Sequence, residues 1–143
     1  MNHPAVRQTV ESLIGDVHEP NNPYTFGKIQ GADLRGIYSV LPGSDGDRIH
    51  IDGHPFDCGV VVLLDDVQPD GGCFSIYPGS HRLGFPKETR DLDETQQQRL
   101  AEPVFFYGNV GDVLFWHPKL AHQEQPNTSG KIRIILFHDW IRK

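Results

Sequence analysis

Residues 48–66 read RIHIDGHPFDCGVVVLLDD, and two patterns within them decide the fold. In RIHID (48–52) polar and apolar side chains alternate. Neighbouring side chains of a strand point to opposite faces, so His50 and Asp52 share one face and Ile49 and Ile51 the other. A helix would bring together residues three or four apart instead. In CGVVVLLDD (58–66) both faces are apolar, as in a central strand covered on both sides. A half-polar strand followed by a buried one predicts a mainly β protein.

The same punctuation continues outward. GIYSVL (36–41) ends at the turn Pro42-Gly43-Ser44-Asp45-Gly46, and CFSIY (73–77) lies between Asp70-Gly71-Gly72 and Pro78-Gly79-Ser80. VFFYG (104–108) and DVLFWH (112–117) flank Gly108-Asn109-Val110-Gly111, and KIRIILFHDW (131–140) follows Asn127-Thr128-Ser129-Gly130. About seven or eight short strands at this spacing predict a sandwich or barrel. The jelly-roll, or double-stranded β-helix of cupin-like proteins, is the form that carries metal ligands inside its mouth. Short flanking helices complete the expectation. Residues 3–15 place Pro4 in a first turn and Val6, Val10, Leu13 and Ile14 on one face. Residues 93–102 form a polar helix that Asp93 caps. One domain over 1–143 is expected, with an N-terminal helix and irregular arm over 1–35 and a jelly-roll core over 36–140.

Composition narrows the function. The chain has 143 residues, a net charge of -6 and a pI near 5.7. An acidic chain with scattered Lys and Arg lacks the basic stripe that nucleic acid requires. No stretch has the length of a membrane span, and the first residues lack the apolar core of a signal peptide, so a cytoplasmic location is expected. Cys58 and Cys73 lie in apolar segments and read as buried free thiols.

His50 and Asp52, about 7 Å apart along one strand face, are close enough to chelate one ion. A second histidine must come from elsewhere, and His117 and His122 are the candidates. Two imidazoles and one carboxylate form the ligand set of non-haem Fe(II) oxygenases. Arg133 lies eleven residues after His122, and that spacing favours His122; His117 then reads as a strand-end residue bonded to a ligand. Arg133 shares its face with Lys131, Ile135 and Phe137. An arginine among apolar neighbours calls for an anion, which a dicarboxylate supplies with bidentate geometry; a rim arginine in a surface salt bridge is the other reading, and Lys131 is the alternative holder. His54 continues the face of His50 and Asp52, as a substrate contact or a surface residue. His81 reads as structural, and His138 points away from Arg133 as a packed residue.

Three stretches together resemble the phytanoyl-CoA dioxygenase family of Fe(II)/2-oxoglutarate oxygenases: RIHIDGH (48–54), LLDDVQPDGGCFSIYPGSHRLG (63–84) and GDVLFWHPKLAHQEQPNTSGKIRIILFHDW (111–140). The resemblance implies a jelly-roll fold, with His50, Asp52 and His122 as Fe(II) ligands and Arg133 on the distal carboxylate of 2-oxoglutarate. It implies a small-molecule substrate and O₂ as the other reactants. Hydroxylation is expected, because Asp52 keeps the carboxylate that halogenating relatives lack. Two departures stand out. Family members commonly carry more helix before the first core strand, and the strand after the His-x-Asp box has Val60, Val61 and Val62 where a polar residue can help hold cosubstrate. Tyr38 is the candidate substitute donor. Two rival readings stay open on the sequence: a cupin-type metalloenzyme with His54 or His117 as an extra ligand, and a non-catalytic jelly-roll that binds metal or keto acid.

Overall fold

The computed structural model describes residues 3–16, 36–52, 57–86, 91–140 and 142. The expected arm before residue 36 and His54 lie outside the described residues, apart from the end of the N-terminal helix.

Among the described residues, seven strands build two antiparallel sheets. β1 (Gly36–Val40), β7 (Arg133–Trp140), β2 (Cys58–Leu63) and β5 (Val113–Trp116) lie side by side in that order. β4 (Val104–Phe106), β3 (Phe74–Ile76) and β6 (His122–Glu124) form the second sheet. All pairings are antiparallel, and the strands follow one another between the sheets as in a jelly-roll.

The double-sided apolarity of β2 has a direct explanation. β2 sits between β7 and β5, with Val60 opposite His138 and Phe115. Cys58 and Val60 pack with Trp140 against Val6 and Val10 of α1 (Pro4–Ile14). Val61 and Leu63 face the other way and join Phe74, Trp116 and Ile135 in the core that both sheets share. Only Val61 of the three valines therefore faces the inter-sheet space, and it brings no polar donor there. Burying Val6 and Val10 stabilises the α1 seat by roughly 1.5–3 kcal/mol per side chain. Leu13 departs from expectation: it is 59 % exposed. The covered stripe runs through Val6, Val10 and Ile14 at fourfold spacing, and Leu13 falls off its edge.

Gly59 is a close-approach position. A Cβ there would stand 2.4 Å from the Trp116 ring, so only glycine lets the indole lie across β2. Both cysteines are buried free thiols, as expected. Burial, with Asp139 and Asp57 adding to it, pushes the Cys58 thiol up to about 11, which keeps it an unreactive thiol at neutral pH.

Three segments differ from the sequence reading. RIHID is not a ladder strand; His50 makes isolated bridges to Asp91 and to His122. HQE, which showed no strand pattern, is β6. The expected helix over 93–102 is the short α2 (Glu94–Gln97). Asp93 does cap it, in a reciprocal box with Gln96.

Candidate metal centre

His50, Asp52 and His122 converge, each offering a ligand atom within 4.8 Å of the others. Each has its own support. His50 exchanges both backbone hydrogen bonds with His122 at 3.0 Å, which docks the His-x-Asp segment directly on β6. Ile51 is buried beneath it with Tyr77, Leu92 and Ala121, and this holds the parity that turns His50 and Asp52 the same way. The alternation read from the sequence thus survives without a continuous strand.

The two imidazoles are fixed alike. His50 Nδ1 lies 2.7 Å from the Arg48 carbonyl oxygen, and His122 Nδ1 lies 2.9 Å from that of Leu120. A carbonyl can only accept, so each Nδ1 carries the proton and donates it. Each Nε2 is left with its lone pair, the form that binds a metal. His122 Nε2 stands 3.7 Å from Asp52 Oδ2, and the two rings are 4.3 Å apart. His122 also rests on an aromatic floor, 5.2 Å from Phe74 and 6.2 Å from Trp116. Gly59 therefore serves the site at one remove, by making room for the indole under His122.

The Pro-Gly-Ser-His segment anchors the same histidine. Gly79 takes a left-handed φ of 79° and opens a 3-10 turn over Ser80–Arg82. Ser80 Oγ donates to the Tyr77 carbonyl at 2.6 Å and accepts from the Ala121 N–H at 2.8 Å. It thus pins the residue before His122. Ser80 is nearly fully buried; the sequence showed it only as part of a turn.

His117 is not in the cluster. It is exposed, accepts from the Lys119 N–H at 3.1 Å, and stacks 5.2 Å from His81. His138 packs on Trp140 at 5.3 Å, on the face away from Arg133.

Arg133 starts β7 and is buried, at 4 % exposure, on the inner face. Tyr38, opposite Ile135, shares that face and meets Phe137 edge-on at 6.1 Å. Burial raises the Tyr38 hydroxyl, Glu124 and Asp47 add to this, and Arg133 opposes it. Lys131 is exposed and precedes the strand, because its carbonyl is drawn into the turn by Asn127 Nδ2 at 2.9 Å. The Arg133 guanidinium donates from Nη1 to the Gly72 carbonyl. Gly72 can present that carbonyl because of its φ of 71°, with Asn127 and Val40 closely packed against it. Nη2 donates to Glu124 Oε2 at 2.6 Å, and Nε has no partner among the described residues. Burial lowers the Arg133 pKa and the Glu124 carboxylate opposes that shift. Burial raises the Glu124 carboxyl, and Arg133 opposes in turn.

Asn127 sets where β7 begins. It is fully buried; Nδ2 donates to the Val40 and Lys131 carbonyls at 3.0 and 2.9 Å, and Oδ1 accepts from Ser129 N–H and Oγ. Asn127→Ala leaves the buried Val40 carbonyl and the half-buried Lys131 carbonyl unpaired and is expected to cost about 1–3 kcal/mol. A urea midpoint lowered at unchanged slope is the predicted reading; a shift below about 0.5 kcal/mol would mean that the turn holds without the amide.

The donor set fits Fe(II): two imidazole nitrogens and a carboxylate, three ligands that leave the metal's other positions to cosubstrate and O₂. Dioxygenase lolE1 of Epichloe uncinata is 24% identical over 103 residues, covering 68% of this chain and 40% of its own. The non-heme alpha ketoglutarate dependent epimerase SnoN from nogalamycin biosynthesis superposes with a TM-score of 0.74 at 20% identity, over 98% of this chain and 53% of that one. The alpha ketoglutarate dependent carbocyclase SnoK gives 0.65 at 24% identity, over 74% and 47%. The chain thus spans about half the length of these structures and less of the curated relative. Residues 40–135 match the sequence profile of the family described as phytanoyl-CoA dioxygenase (PhyH), a span that holds the whole cluster, Ser80, Asn127 and Arg133. By that match and by the jelly-roll that carries the site, the chain belongs to the phytanoyl-CoA dioxygenase family of Fe(II)/2-oxoglutarate-dependent oxygenases.

Proposed function

We propose that this protein is an Fe(II)- and 2-oxoglutarate-dependent oxygenase acting on a small molecule, with His50, Asp52 and His122 as the iron ligands. The observation that carries the reading is the pair of oriented imidazoles beside one carboxylate, all within 4.8 Å. Arg133 takes the distal carboxylate of 2-oxoglutarate, and Tyr38 stands on the same face as a second donor. Iron with 2-oxoglutarate and O₂ supplies oxidative decarboxylation to succinate and CO₂, and with it the power to remove hydrogen from carbon.

The chain's own residues do the rest. The carbonyls of Arg48 and Leu120 hold the imidazole protons at Nδ1. Phe74 and Trp116 keep water from the back of His122, and Asp52 brings the charge that balances the metal. An exposed His117, stacked on His81, speaks against a cupin-like fourth protein ligand from that residue. A cytoplasmic setting suits the two unpaired thiols.

Hydroxylation is the reaction we favour, in which substrate gains one oxygen atom while 2-oxoglutarate and O₂ become succinate and CO₂. The support is Asp52, which fills the position a halide would need. Similar structures described as an epimerase and a carbocyclase define the other outcomes to measure. The test is a panel of small molecules incubated with Fe(II), 2-oxoglutarate and O₂. Succinate release that a chelator abolishes, with a product heavier by one oxygen, is expected. A product of unchanged mass, or one lighter by two hydrogens, would replace hydroxylation by epimerisation or ring closure. Failure to form succinate with any compound would favour a binding role.

A further inference from the structure

Arg133 already holds a carboxylate, and it belongs to the chain itself. Glu124 lies two residues after His122 on β6, so its side chain turns to the same face as the histidine. Its Oε2 is 2.6 Å from Arg133 Nη2, with the two side chains only 12 % and 2 % exposed. The backbone beneath it is tied down: the Glu124 N–H donates to Asp47 Oδ1 at 2.6 Å, and the Glu124 carbonyl accepts from the Asp47 N–H at 3.1 Å. Only the side chain is left to move.

The guanidinium geometry sharpens the point. A carboxylate grips arginine through two neighbouring N–H groups, either Nη1 with Nη2 or Nε with Nη2. Nη1 is committed to the Gly72 carbonyl. Nε is buried and without a partner among the described residues. The least committed pair is therefore Nε with Nη2, and Glu124 already draws on Nη2 through one of its two N–H groups. An incoming dicarboxylate that takes this pair must share Nη2 with Glu124 and sit against a second anion in a buried place, unless Glu124 withdraws. Asp47, which is a further carboxylate, offers Glu124 no alternative cation.

We propose that Glu124 is an internal competitor for the cosubstrate's distal carboxylate, and that its withdrawal from Arg133 sets how tightly 2-oxoglutarate binds. The inference rests on the oxygenase reading above. It predicts weak 2-oxoglutarate binding in the native chain, and selectivity set by Glu124 between keto acids with and without a distal charge.

Dissociation constants taken from the visible absorption band of the anaerobic Fe(II)–keto acid complex test it, in the native protein and in Glu124→Gln. The amide keeps the size of the side chain and removes its charge. Glu124→Gln is expected to bind 2-oxoglutarate roughly tenfold or more tighter, the scale of relieving a buried like-charge contact. Its affinity for 2-oxovalerate, which has no distal carboxylate, should change less than about twofold, since that acid never needs Arg133. Glu124→Ser, which removes the side chain from Nη2 altogether, should show the same split and serves if the amide variant does not fold. Equal or weaker 2-oxoglutarate binding in the variants, with the band well formed, would overturn this inference and leave the oxygenase reading intact. Absence of the band in the native chain and every variant would overturn both.

Discussion

Asp52→Ala is expected to lower Fe(II)-dependent succinate release by at least about a hundredfold, while the protein stays folded. Loss of residues that merely orient a metal ligand already costs about 10–100-fold in affinity or activity, and Asp52 contributes the only carboxylate of the cluster. Two imidazoles remain in the variant, with one ligand fewer and no negative charge to balance the dication. Asp52 stays partly accessible and is not a core residue, so stability should change little. Direct measurement of Fe(II) binding by equilibrium dialysis, beside the succinate assay and circular dichroism, separates ligand loss from unfolding. Native-like iron affinity in a folded Asp52→Ala protein would remove Asp52 from the ligand set.

The largest stability effect is expected away from the site, on the face of the four-stranded sheet that α1 covers. Trp140→Ala should destabilise by about 3–5 kcal/mol, the range for truncating a buried aromatic, out of a total near 5–15 kcal/mol for a domain of ordinary stability. Trp140 is fully buried at the end of β7, across from Cys58 and against Val6 and Val10 of α1. Its loss opens a cavity between sheet and helix that Val60, held between two strands, cannot fill. Urea unfolding followed by circular dichroism reads the effect. A cost under about 1 kcal/mol would show that α1 collapses onto β2 without the indole.

These two substitutions separate what the sequence makes visible from what it hides. The burial of β2 is legible in CGVVVLLDD because both faces must be apolar when a helix covers one and a sheet the other. The parity of His50 and Asp52 is legible too, since Ile51 has to reach the Tyr77–Leu92–Ala121 cluster. That RIHID makes only single bridges is not legible. Alternation records which way side chains point, and it is silent on whether a neighbouring strand runs alongside. β6 is hidden for the opposite reason. His122, Gln123 and Glu124 have no apolar alternation because one face serves the site, and pairing with β3 alone makes them a strand.

The site itself divides the same way. The metal cluster and Arg133 show in residue type and spacing. The supports of the site do not: Ser80 holding Ala121, Gly59 admitting Trp116, and Gly72 offering its carbonyl to Arg133 depend on contacts far apart in the chain. Glu124 is the sharpest case. A glutamate in a polar stretch reads as solvated, and only the fold brings it to the arginine nine residues on.

The most direct measurement is an anaerobic titration of the native protein with Fe(II) and 2-oxoglutarate, followed by visible absorption. A charge-transfer band that appears only when both are present, and is lost in Asp52→Ala, is the predicted result. It would place metal and keto acid together on this cluster. A folded native protein that gives no band at saturating Fe(II) and 2-oxoglutarate would contradict the account.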